Sequence, residues 1–382
     1  MHPTITLTQS LIACPSVTPH DAGAQAVLKD ILKSAGFACF DLPFGGGDDC
    51  KPRIENLFAR YGQGGKHLCY AGHTDVVPSG AEDQWTYGAF TPHIDESGTL
   101  YGRGASDMKG SVAAFTIAAS EFIKAHPDFG GSISLLITGD EEAEAINGTV
   151  KVLEWMAQNG HTPDVALVGE PTNPDHIGQE IKIGRRGSLN GVLRVRGKQG
   201  HVAYQHLADN PLPRLVRLLD ALSRYEFDSG NDYFSPTNLE ITTIDVGNPA
   251  SNVIPASGKA VFNIRFNDNW SKQSLIQKIT EILDGCGEAY EIDFEGNAES
   301  FITQPAAWSE IVADAVEDIS GKRPAYTTSG GTSDARFIVK YCPVIECGAV
   351  NKTIHQINEN ASTADLEMLT QIYTRILEKY FL

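Results

Sequence analysis

Residues 132–142 read SISLLITGDEE, an apolar run that stops abruptly on three acids. A short apolar run bounded by glycine and charge is the pattern of a strand buried on both faces. Working outward, residues 57–60 and 67–71 give two more strands around the turn Gly62-Gln63-Gly64-Gly65, and residues 165–168 give a fourth. Helical spacing lies between and after them, at 110–124 and 150–159. Strands alternating with helices predict an α/β sheet covered on both faces, with ligands gathering at the carboxyl ends of its strands. Helices are also expected at 4–13, stopped by Pro15-Ser16-Val17-Thr18-Pro19, and at 21–35. In the second of these Ala24, Val27, Leu28, Ile31 and Leu32 share one face, and Gly36 follows its end.

After about residue 183 the texture changes. Residues 188–196, 239–246 and 259–265 alternate apolar with polar, and 211–225 and 271–283 are helical, which predicts an α+β unit of two helices on an antiparallel sheet. From about residue 300 the α/β texture returns: a helix at 307–319, the turn Ser329-Gly330-Gly331-Thr332-Ser333-Asp334, a strand at 344–347 and a closing helix from Ala364. The expected organisation is a discontinuous α/β domain, residues 1–184 and 299–382, carrying an inserted domain at 185–298.

A chain of 382 residues exceeds the usual single-domain size, which fits two domains. The formal net charge of -18 argues against nucleic acid or an anionic membrane as partner, since both need a basic face. The seven cysteines (14, 39, 50, 69, 286, 342, 347) form no C-x-x-C pair, so neither a disulfide framework nor a zinc ribbon is expected, and a reducing cytoplasm is the expected compartment. Residues 1–19 lack a basic region leading into an apolar core, so no signal peptide is expected, and no apolar run is long enough to span a membrane. The glycine clusters at 45–47 and 62–65 do not lead into the G-K-[ST] helix start of a phosphate cradle.

Three of the predicted strand ends carry metal-ligand residue types. His73-Thr74-Asp75 follows LCYAG, Glu141-Glu142 follows LLITGD, and Glu170 follows ALVG. Asp107 lies in the glycine-rich stretch LYGRGASDMKG (100–110), and Thr353-Ile354-His355 comes near the end. Each has an ordinary reading alone: a turn or cap for Asp107, a loop acid for Glu170, a surface imidazole for His355, an exposed pair at a helix start for Glu141 and Glu142. Together they read as a two-metal site. Carboxylate and imidazole suit zinc or cobalt, and two cations about 3.5–4 Å apart need a shared ligand, for which Asp107 is the best candidate. The acid of His73-Thr74-Asp75 is placed to set the ring orientation and tautomer of the histidine. Adjacent carboxylates after an apolar strand need a cation or a proton, so one of Glu141 and Glu142 can bind metal while the other takes a proton from water.

The set GHTDVVPSG, LYGRGASDMKG, GDEE, GEPT, GRRGSLNG, HVAYQHLADNP, SNVIP, GGTSDARF and TIHQINE, in this order over nearly the whole chain, resembles the di-zinc aminoacylase and carboxypeptidase family. The resemblance implies a metallopeptidase-like catalytic domain with a mixed sheet covered by helices, and an inserted α+β lid domain that forms a homodimer. It implies hydrolysis of the amide of a small N-acyl amino acid by two Zn²⁺ per subunit, with Co²⁺ able to replace one. The first metal would be held by His73, Asp107 and Glu170, the second by Asp107, Glu142 and His355, with Glu141 as general base and Asp75 behind His73. A cis peptide after Asp107 is implied too, and His201 would reach the partner's centre to stabilise an oxyanion. Asn252, Arg265, Gly331 and Thr332 correspond to positions around substrate, and Arg185 or Arg186 would pair with a substrate carboxylate, which a planar guanidinium suits. The GRRGS arginines and HVAYQHLADNP favour, by resemblance, a succinyl over an acetyl substrate. Acetylornithine-type or other acyl pockets, and a metal-free binding protein on the same fold, remain the alternatives. Departures fall at Ala143-Glu144-Ala145, where relatives commonly have Gly-Pro, at Gln205 and at Ala89, none of them a ligand position.

Overall fold

The strand expected at 132–138 is Ser132–Thr138, and all seven of its residues are buried. It belongs to a computed structural model that describes residues 1–47 and 51–382; Cys50 lies outside the described residues. The chain divides into two compact units, one comprising Met1–Ile183, Thr303–Thr327 and Ser333–Leu382, the other Gly184–Ile302 and Thr328–Thr332.

The first unit is built on an eight-stranded mixed sheet in the order Ala38–Asp41, Leu57–Tyr61, Ser132–Thr138, His67–His73, Val165–Val168, Val344–Glu346, Glu180–Lys182, Ala325–Thr327. Its middle is parallel: His73 lies opposite Thr138, and Ala71 opposite Val168. The loops after these three strands therefore leave the sheet at one edge, which puts residues 73–75, 139–142 and 169–170 together. Helix Lys109–Ala125 is buried on nearly every side, as a helix apolar all round must be, and packs against the closing helix Thr363–Phe381.

Two differences from the sequence reading have local causes. The helix expected at 21–35 starts only at Ala24, because Asp21 accepts from the N–H groups of Gly23 and Gln25 at 3.0 Å each and Gly23 takes φ +88. That side chain ends the loop instead of joining the helix. The strands Glu180–Lys182 and Ala325–Thr327, which pair with each other in parallel, read EIK and AYT and lack the apolar run that marks the equally short Val344–Glu346.

In the second unit the strands Asn238–Asp245, Ser257–Phe266, Gly187–Arg196 and Glu291–Ala298 form an antiparallel sheet in that order. Burial alternates along the two central strands, so one face is apolar. Helices Leu212–Ser223 and Lys272–Gly285 cover it, seating Leu218, Leu222, Leu275 and Ile279 on Leu189, Leu193 and Phe262. Ser271 begins the second helix with a reciprocal capping box. Thr328 joins this unit by donating to the Tyr233 carbonyl at 2.6 Å.

Among the described residues no helix is long and apolar enough to cross a membrane. The six described cysteines are free thiols.

Candidate metal centre

His73 closes its strand and is buried. Its Nδ1 lies 2.8 Å from the Asp75 carbonyl oxygen and 3.7 Å from the Asp75 carboxylate. A carbonyl can only accept, so Nδ1 carries the proton and Nε2 presents a lone pair. Residue 75 thus orients the ring chiefly through its backbone, where the sequence pattern suggested its carboxylate. That carboxylate instead accepts from the N–H groups of Glu141 at 3.3 Å and Glu142 at 3.1 Å, tying the acid pair to the histidine's own loop. Burial pushes the Asp75 carboxyl up to about 6, although the nearby His73 opposes this.

Asp107 faces a different imidazole with each oxygen. Oδ1 is 3.3 Å from His73 Nε2, and Oδ2 is 3.4 Å from His355 Nε2. Glu170 Oε1 lies 3.7 Å from His73 Nε2, and Glu142 Oε1 lies 3.0 Å from His355 Nε2. The Asp107–Met108 peptide is cis, and His355 adopts φ +60, in the left-handed region. Its side chain is 49% exposed while those of Asp107 and Glu142 are 9% exposed, so the centre opens on the His355 side. Two overlapping sets place ligand atoms within 4.8 Å of one another: His73, Asp107 and Glu142, and His73, Glu141 and Glu170. The second set brings Glu141, expected as a base, within reach of a cation.

The donor set fits a pair of divalent cations. His73 Nε2 and Asp107 Oδ1 are buried without a hydrogen-bond partner, an expensive condition that a cation between them relieves. Among the described residues Asp75, Asp107, Glu141, Glu142 and Glu170 gather around the imidazoles of His73 and His355. Burial, reinforced by Glu170, pushes the Glu141 carboxyl well above the usual carboxylate range. Hydrogen bonds to Asp107 and Glu142 raise His355 to about 10. The site is strongly electronegative, and cations of this charge suit carboxylate and imidazole ligands.

Gly348 shows how tightly the Glu170 loop is held. A Cβ there would lie 2.2 Å from the Gly169 carbonyl oxygen and 2.3 Å from that of Glu170, both backbone atoms. Only a bare backbone lets the chain beyond Val344–Glu346 press against the loop.

The remaining candidates belong to the second unit. The Arg185 guanidinium donates to the Gly331 carbonyl at 3.2 Å, and Thr332 follows in the same loop. Arg186 donates to Asn238 Oδ1 at 3.2 Å, and Arg265, opposite both Ser188 and Asn238 in the sheet, is held below its usual range by burial and by Arg186. Gly200–His201 pairs with Val253–Ile254, and Val202 N–H donates to the Asn252 carbonyl at 3.0 Å, so His201 and Asn252 are neighbours. His201 Nδ1 accepts from Ala203 N–H at 3.1 Å and the side chain is exposed.

Three buried residues near the ligands went unassigned from sequence. Asp334 has both carboxylate oxygens buried without a hydrogen-bond partner, and Arg103 is paired with Glu359 at 2.8 Å. They lie inside GGTSDARF, LYGRGASDMKG and TIHQINE, but their residue types alone suggest only surface charge.

The sequence model of peptidase family M20/M25/M40 matches residues 69–379. Over 378 residues the chain is 52% identical to a succinyl-diaminopimelate desuccinylase of Beijerinckia indica subsp. indica, covering 98% of each. It is also 52% identical over 377 residues to one of Rhodospirillum centenum, covering 99% of this chain and 97% of the other. Among solved structures it is similar to an M20 family metallo-carboxypeptidase of Sulfolobus solfataricus, with TM-score 0.78 and 18% identity over 100% of this chain and 99% of that one. A dinuclear metal-binding M20 peptidase of Bacillus subtilis gives TM-score 0.73 and 15% identity over 99% and 98%. At such identities the last two speak for the fold alone.

Proposed function

We propose that this chain, which belongs to peptidase family M20/M25/M40, is a metal-dependent amide hydrolase. Its substrate is N-succinyl-L,L-2,6-diaminopimelate, which it splits with water into succinate and L,L-2,6-diaminopimelate, a step toward lysine and diaminopimelate. The observation that carries the reading is Asp107, whose two oxygens address two imidazoles 3.3 and 3.4 Å away. The desuccinylase relatives, at 52% identity over essentially full length, support the choice of acyl group.

In this reading His73, Asp107 and Glu170 would hold one Zn²⁺, and Asp107, Glu142 and His355 the other, with Co²⁺ able to replace one. When bound, the cations supply Lewis-acid polarisation of the amide carbonyl and acidify water. Glu141 takes the proton of the attacking water and delivers it to the leaving nitrogen as the C–N bond breaks. Burial raises the Glu141 carboxyl, the direction that makes its carboxylate a better proton acceptor. The guanidinium groups of Arg185, Arg186 and Arg265 are the natural receivers of the substrate carboxylates, with Asn252, Gly331 and Thr332 beside them.

The inserted unit is assigned as the dimerisation element, with His201 of one subunit donating to the oxyanion in its partner. Val202, Tyr204 and Leu207, next to His201, are more than half exposed, an apolar strip suited to burial against another chain. The free thiols are consistent with a reducing, cytoplasmic setting.

An amide-hydrolysis assay decides the function. Succinyl-diaminopimelate is turned over, the acetylated analogue is not, and a chelator abolishes the rate. Faster turnover of the acetyl substrate would move the assignment to a deacetylase of the same family, and binding without turnover or metal would make the chain a binding protein. In the same assay His201→Ala lowers kcat by roughly 10²-fold, the scale of one lost oxyanion donor, while an unchanged kcat rejects the role.

A further inference from the structure

Arg103 and Glu359 form a buried pair, 2% and 0% exposed at their side chains, in which Arg103 Nη1 donates to Glu359 Oε2 at 2.8 Å. The other carboxylate oxygen, Oε1, accepts from the backbone N–H groups of Ser106 and Asp107 at 3.0 Å each. Glu359 thereby fixes the peptide plane from which Asp107 projects, and its own carbonyl accepts from Gly102 N–H at 2.9 Å at the start of that turn. The guanidinium also donates to the Gln356 carbonyl at 3.1 Å, next to His355, and to the Pro78 carbonyl at 3.2 Å, on the loop that leaves His73 and Asp75. Its Cζ lies over the Trp85 ring, 5.3 Å from the centroid.

One buried pair thus touches three separate loops, those carrying His73, Asp107 and His355. We infer that Arg103 and Glu359 are positioning residues that set the spacing of these three ligand loops and hence the distance between the two cations. The inference rests on the dinuclear reading of the site. The geometry explains the residue types: a carboxylate can accept from two adjacent N–H groups and a guanidinium together, and only a forked cation can reach a carboxylate and two carbonyls in fixed directions. Among the described residues these hydrogen bonds of both side chains go to residues 78, 106, 107 and 356 and to each other, not to the positions assigned to substrate or to proton transfer.

Full-length protein loaded with Co²⁺ is titrated with a competing chelator while its visible spectrum is followed, for wild type, Glu359→Gln and Arg103→Lys. Glutamine can still accept from the two N–H groups, but its amide nitrogen then opposes the guanidinium, donor against donor. Lysine keeps the charge and loses the fork. In each variant Co²⁺ is lost at a roughly 10–100-fold lower chelator concentration, the usual effect of removing an outer partner of a metal ligand, and the spectrum of the loaded form changes. If Glu359→Gln does not fold, Arg103→Lys carries the test. Chelator resistance within about twofold of wild type with an unchanged spectrum, whatever the melting temperature does, leaves the pair a structural one and overturns the inference. Wild-type protein that takes up no Co²⁺ overturns the dinuclear reading, and this inference with it.

Discussion

Glu141→Gln is expected to lower kcat by roughly 10²–10⁴-fold, the range spanned by a general base, while the protein still binds two metals. Glutamine keeps the size of glutamate and cannot accept a proton, so it removes the proposed chemistry and little else. The experiment separates two readings that geometry leaves side by side. Glu141 lies in a set with His73 and Glu170 whose ligand atoms fall within 4.8 Å of one another, so it is close enough to be a ligand. Yet its backbone N–H, with that of Glu142, is pinned by the Asp75 carboxylate, and Glu142 already reaches His355 at 3.0 Å. The pinning fixes two consecutive carboxylates in one turn and lets them take different partners. Metal analysis alongside the kinetics decides. Lost turnover with two metals retained supports a base, lost turnover with one metal makes Glu141 a ligand, and a near-normal rate removes it from the mechanism.

How much of this was legible before the fold was known depended on the type of signal. Ser132–Thr138 and Val165–Val168 announce themselves because strands buried on both faces are continuous apolar runs. The gathering of His73, Glu141 and Glu170 follows from the same inference, since parallel register brings such strand ends to one edge. Glu180–Lys182 has two charged residues in three positions, so no apolar run marks it as one marks the equally short Val344–Glu346. Backbone contacts were also invisible. His73 leans on a carbonyl, which every residue has, so the sequence could name Asp75 but not the atom. Glu359 uses two peptide N–H groups of a turn about 250 positions away in the chain, a partnership that no local pattern encodes. Asp21 is a smaller case, reading as a first-turn acid while its carboxylate holds the loop before the helix.

Asp107→Asn is expected to reduce bound metal from two per chain to about one and to lower kcat by more than about 100-fold. Asparagine has the same shape, so the buried turn and its hydrogen bonds to Glu359 through the Ser106 and Asp107 N–H groups are kept. Only one of its two terminal atoms can accept, however, and the other presents hydrogens. Of the two imidazole-facing positions now filled by oxygens at 3.3 and 3.4 Å, one becomes a donor directed at the place a cation would occupy. Loss of charge acts in the same direction, because Asp107 is the carboxylate both metals would share. The site keeping the amide oxygen retains its other ligands and some affinity, which is why one metal remains. Removing an outer partner of a ligand costs about 10–100-fold, and loss of a shared ligand should exceed that. Metal content of the dialysed variant, with kcat at saturating substrate, checks both halves. Two tightly held metals in Asp107→Asn would show that Asp107 is no bridge, and Glu142 and Glu170 would then have to hold the cations with the two histidines.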